Sequence, residues 1–109
     1  MKRARPYSPL TVEAGRLLGN RVRLTRRERR LTLQELADRV GVSRITMRKV
    51  ESGDLTVGLG VAFEAAAILG VPLFDEERSR RRIEAARIDD RLAVLPKTVR
   101  KRVEVNDDF

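Results

Sequence analysis

Apolar positions between 31 and 53 fall into two short helical patterns, each closed by a glycine. Leu33, Leu36, Ala37 and Val40 recur at helical spacing and make one apolar face. Thr32 and Glu35 stand at the Thr-x-x-Glu spacing that satisfies free N–H groups where a helix begins, and Gly41 supplies the left-handed backbone of a sharp stop. Ser43 is placed to cap the next helix. There Met47 and Val50 point one way, Arg44, Ile45, Arg48 and Lys49 fan out on the other, and Gly53 closes the helix.

The flanking chain is helical too. A first helix should begin between Ser8 and Val12, with Ser8–Pro9 as one of the available cap-and-proline starts, and run to about Arg30. Leu17, Leu18 and Val22 should face inward, while Arg21, Arg23, Arg27, Arg29 and Arg30 crowd the other positions. After a loop at 54–60, Ala62, Ala66 and Leu69 share one face of a helix over 59–69, with Phe63 at its edge and Gly70 as its end. The turn at 71–74 should add Phe74 to the core. Acids at 75–77 suit the positive end of a helix dipole, so a last helix should start there and persist to Leu95, before Pro96. Its Ala85, Ile88, Leu92 and Leu95 form a narrow seam for the chain's own core or a partner helix. Val99, Val103 and Val105 alternate with charges, a weak signal for a short strand that needs another edge. The expected fold is all-α: a compact helical bundle over 10–74, a C-terminal helix and tail over 75–109 for dimer or partner contact, and a basic arm over 1–9. The arm is either plain disorder or a segment that lays Arg3 and Arg5 on an anion.

Charge changes this picture. The net charge is +8, and over residues 1–30 Lys and Arg outnumber acids ten to two, whereas over 31–109 the signs balance at fourteen each. Excess positive charge ahead of a helix pair suggests a polyanionic partner. The absence of Cys and His removes disulfides, thiol nucleophiles, common zinc sites and histidine acid–base chemistry, and fits a reducing cytoplasm. No apolar run approaches membrane-spanning length, and the N-terminus lacks the apolar core of a signal peptide. Gly58 and Gly60 lack the lysine and spacing of a phosphate loop, and the acids form no metal cluster. No enzyme, cofactor or metal is expected; the chemistry on offer is recognition, in the cytoplasm at the nucleoid.

A helix, a glycine turn and a second helix with a basic outer face make a helix-turn-helix reader of double-stranded DNA. Arg44, Arg48 or Lys49 would donate to guanine O6 and N7 in the major groove, and Ile45 would touch a thymine methyl. Gln34, Ser43 and Thr46, with the N-terminal backbone of both helices, should hold phosphates. With a single tyrosine, Tyr7, the chain lacks the exposed aromatics common in single-stranded RNA recognition.

The stretch resembles phage-repressor-like regulators of the XRE, or Cro/CI, family. Leu36-Ala37, Val40-Gly41-Val42-Ser43 and Glu51-Ser52-Gly53 carry the resemblance, which extends with the flanking helices over about 17–74. It implies a repressor-like bundle, a homodimer on a palindromic operator, and a structural ion pair between Arg26, five residues before Leu31, and Glu51. Family members often carry glutamine on the recognition face; this chain has arginine, isoleucine and lysine, which leaves the operator open. More narrowly, Val57-Gly58-Leu59 and 69–74 (LGVPLF) are similar to HipB-type antitoxins, which implies a HipA-type kinase toxin as partner and autoregulation. Phe109, an aromatic at the end of an acidic tail, is a candidate anchor for such a partner. The alternative is a stand-alone XRE-type repressor without a toxin.

Overall fold

The computed structural model describes residues 6–101; Arg3, Arg5, Val103, Val105 and Phe109, and the expectations attached to them, lie outside the described residues. The described chain forms α1 (Pro9–Glu28), α2 (Leu33–Val40), α3 (Arg44–Ser52), α4 (Leu59–Leu69) and α5 (Arg78–Val94), and no strand occurs among the described residues. The all-α expectation holds. The chain divides between Leu73 and Phe74 into two compact units, the first holding α1–α4 and the second α5.

In the first unit the caps set where each helix begins. Ser8 accepts from the Thr11 N–H at 3.3 Å, with Pro9 in the first turn of α1. At α2, the Glu35 N–H donates to Thr32 Oγ1 and the Thr32 N–H to Glu35 Oε1, both at 3.0 Å. The Thr32 N–H foremost, and then the Thr32 hydroxyl, hold the Glu35 carboxyl below the usual carboxylate range. A carboxyl depressed in the folded state stabilises above its unfolded value, and that contribution disappears as pH falls through the depressed one. Thr32→Ala removes the cap oxygen and should cost about 1 kcal/mol at neutral pH, while the Thr32 N–H remains on Glu35. Urea unfolding of both chains at pH 7 and at pH 3 checks this: the gap between them should narrow in acid.

The end of α1 differs from expectation. The helix stops at Glu28 because Arg30 takes a left-handed conformation, φ 56°, and the Leu31 N–H turns back to the Arg26 carbonyl at 3.0 Å. No glycine marks that turn.

The core consists of Val22, Leu36, Ala37, Met47, Val50, Ala65, Ala66, Leu69 and Val71. Three inward assignments change. Leu17 is 53% exposed, because α1 meets its neighbours along Gly15, Leu18, Gly19 and Val22, a stripe at helical spacing. On α4, Ala65 is buried beside Ala66 and Leu69, while Ala62 is only half-buried. Phe74 is 66% exposed, and Val71 takes the place expected for it. After Gly70 the Val71 N–H bonds the Ala66 carbonyl at 2.8 Å, which folds the chain back and delivers Val71 to the core.

In the second unit, α5 begins just after the acidic run. Arg81 Nη1 donates to the carbonyls of Asp75 and Glu76, both at 2.7 Å, and Arg80 pairs with Glu77 at 3.1 Å. Leu95 follows the helix in extended conformation, as a residue before proline prefers. No residue of α5 is buried, and Val99 lies in no strand.

Candidate nucleic-acid interface

The turn between α2 and α3 is tight because Gly41 adopts φ 85°, closed to most side chains, with the Gly41 and Val42 N–H groups both returning to the Ala37 carbonyl. Ser43 then starts α3, its Oγ accepting from the Thr46 N–H at 3.1 Å. Met47, Val50 and Glu51 are buried beneath this helix. Arg44, Ile45, Arg48 and Lys49 stand together on its outer side, all exposed, with Ile45 at 68%. Among the described residues, no carboxylate lies within ion-pair distance of Arg44, Arg48 or Lys49, although the Lys49 charge is felt at longer range by Asp54, so the face presents three cations without an ion pair around one aliphatic side chain.

The residues expected at phosphates lie at the N-terminal ends of α2 and α3. Ser43 and Thr46 share a hydroxyl–hydroxyl bond of 3.0 Å, which leaves each with further hydrogen-bonding capacity. Gln34 lies exposed in the first turn of α2 and donates one amide N–H to Asp38 at 2.8 Å, leaving its carbonyl and second N–H for another partner.

What holds α3 in place lies behind it. Glu51 is 4% exposed and its carboxylate takes two parallel bonds from Arg26, Nε to Oε2 at 2.6 Å and Nη2 to Oε1 at 3.0 Å. The third arm of the guanidinium, Nη1, donates to the Leu31 carbonyl at 2.9 Å. One side chain thus ties the end of α1 and the turn after it to the end of α3. The hydrogen bonding to Glu51 raises the Arg26 pKa, against the opposing effect of burial.

Two further contributors are not apparent from the apolar pattern of α1. Arg23, expected among the outward basic residues, is half-buried and donates through Nη2 to the Glu51 carbonyl at 3.3 Å, with Nε 3.6 Å from Oε1. Its spacing of three from Arg26 was the available signal. Gly19 lets α1 approach so closely that a Cβ there would lie 2.6 Å from the carbonyl oxygens of both Val50 and Glu51.

Helices α2 and α3 at a glycine turn, a capped second helix with an open cationic face, and two supporting helices define a helix-turn-helix DNA-binding domain. Comparison with known families agrees: a model described as a helix-turn-helix domain matches residues 17–80. The chain belongs to that family, within its XRE-like group. Among curated proteins, no significant match is found. Among the described residues no helix is long and apolar enough to cross a membrane.

Proposed function

We propose that this protein is a sequence-specific transcriptional regulator that reads a palindromic operator as a two-fold dimer. The observation that carries this reading is the open face of α3, where Arg44, Arg48 and Lys49 surround Ile45 with no paired acid among the described residues. Long cationic donors reach guanine edges in the major groove and an aliphatic tip suits a thymine methyl. Gln34, Ser43, Thr46 and the first N–H groups of α2 and α3 take phosphates, which sets orientation. In this scheme residues 10–74 bind DNA, 1–9 add positive charge along the backbone, and 75–109 make the dimer or partner contact.

The test is selection of sites from a random duplex library, followed by anisotropy titrations with Arg44→Ala, Arg48→Ala and Lys49→Ala. A base-reading side chain should cost about 1–3 kcal/mol and flatten the preference at one position. A phosphate-binding one should weaken all sequences alike and reduce the salt slope by about 1. Unchanged affinity and preference in all three variants would remove α3 as the reading element.

The antitoxin form of this reading is supported by the resemblance of residues 56–74 to HipB-type proteins. A kinase of HipA type would then co-purify in stoichiometric amount with the full chain, and loss on truncation after Leu95 would place Phe109 and its neighbours at the contact. DNA binding with no such partner would favour a stand-alone repressor.

A further inference from the structure

Helix α5 carries a seam that nothing among the described residues buries: Ile88 is 50% exposed, Leu92 61% and Leu95 60%. Continued upward at spacings of three and four, the seam runs Leu95, Leu92, Ile88, Ala85, Arg81, Arg78. Arg82 and Asp89 flank it on one side, Glu84 and Arg91 on the other. None of these four charges has an ion-pair partner among the described residues.

We propose that the seam is covered by α5 of a second copy, running antiparallel, with Ala85 opposite Ile88 of that copy. The flanking charges select the arrangement. A parallel pair sets Glu84 beside Asp89 of the other helix, twice, and its attractive contact, Glu77 with Arg82, uses a carboxylate already engaged by Arg80. An antiparallel pair with Ile88 opposite Leu92 sets Arg91 against Arg91 and Asp89 against Asp89. With Ala85 opposite Ile88, every flank is complementary: Glu84 meets Arg91, and Arg82 meets Asp89, each twice by symmetry. Like charges in flanking positions disfavour the first two arrangements, as charge pairs bias orientation in helix pairs generally.

The same register places Leu92 of the second copy opposite Arg81. There the surface holds a groove lined by Phe74, Arg81, Glu84, Ala85 and Ile88. The Arg81 guanidinium is drawn onto the Asp75 and Glu76 carbonyls, so its methylenes line the groove while its charge is satisfied outside it. The groove is therefore shaped and polarised for an aliphatic side chain.

This pairing supplies the dimer invoked above, and it is measured without DNA, so its failure would leave the reading of α3 standing. The experiment is sedimentation of the full-length wild type, Glu84→Arg and Arg91→Glu across a concentration series, with helicity followed by circular dichroism. The wild type should dimerise. Each variant turns two attractive contacts into two repulsive ones and should dimerise at least about tenfold more weakly. Mixed in equal amounts, the two variants should recover association. The arginine introduced in the first variant then meets the glutamate introduced in the second, and the native Arg91 of the first meets the native Glu84 of the second. A monomeric wild type, variants that associate as the wild type does, or a mixture that does not recover would overturn the proposal. Stronger association in Glu84→Arg would overturn it in favour of the parallel pair. A variant that loses helicity is replaced by its neutral counterpart, Glu84→Gln or Arg91→Gln, in which about half the weakening should remain.

Discussion

Replacing Arg26 by methionine is expected to destabilise the helix-turn-helix unit by about 3 kcal/mol. Methionine keeps most of the aliphatic volume, so the loss is electrostatic and hydrogen-bonding in origin. Glu51, 4% exposed in the native fold, would lose its two strongest bonds, and the Leu31 carbonyl would lose its donor. Arg23 stays within 3.6 Å of Oε1, which keeps the cost near the lower end of the range for a broken buried pair. The double variant Arg26→Met/Glu51→Leu should be more stable than Arg26→Met alone, because it removes the buried charge together with its partner. Chemical denaturation of the four chains of that cycle gives the coupling directly. Equal stability of Arg26→Met and wild type would show that the pair contributes nothing measurable. Function should follow stability: the pair joins α1 and the end of α3, so freeing it loosens the helix that presents Arg44, Ile45, Arg48 and Lys49.

The second large effect is expected at Gly19. An alanine in mid-helix normally gains up to about 1 kcal/mol over glycine. Here the added Cβ would stand 2.6 Å from two backbone oxygens, at Val50 and Glu51, and backbone cannot swing aside as a side-chain tip does. Gly19→Ala should therefore push α1 away from α3, lengthen the Arg26–Glu51 bonds, and cost about 2–3 kcal/mol. That corresponds to a fall in melting temperature of roughly 10 °C or more for a domain of this size. Gly60 on α4 is the contrast, since a Cβ there meets nothing within 4 Å. Gly60→Ala should be neutral or slightly stabilising. Thermal unfolding of both variants decides the matter: a Gly19→Ala chain as stable as Gly60→Ala would mean that the close approach is not maintained in solution.

These two sites differ in how far sequence led to them. Resemblance to the XRE family points to Arg26 and Glu51, since a spacing of twenty-five residues carries no local signal. Gly19 carries none either: the inward stripe of α1 runs through two glycines, and apolar spacing alone points to Leu17 instead. Arg23 was hidden for a similar reason, because one arginine among many on a basic helix looks solvated until the backbone carbonyl it faces is known. At the other end of the domain, Phe74 has the larger apolar surface. The hydrogen bond from Val71 to Ala66 nevertheless directs the smaller residue inward.

By itself, the sequence determined the elements whose causes are local. The capping box at Thr32 and Glu35, the Ser8 and Ser43 caps, the turn glycine Gly41 and the stops at Gly53 and Gly70 all act within a few residues, so they can be inferred wherever they occur. The all-α class and the basic outer side of α3 follow from the same short-range patterns. Tertiary packing was needed to settle which side of α1 is buried, how closely it approaches α3, that α1 stops at Glu28 before the left-handed Arg30, and which cation besides Arg26 attends Glu51. Those features depend on backbone groups brought together from distant positions, and the identity of a residue does not reveal which carbonyl will come to lie beside it.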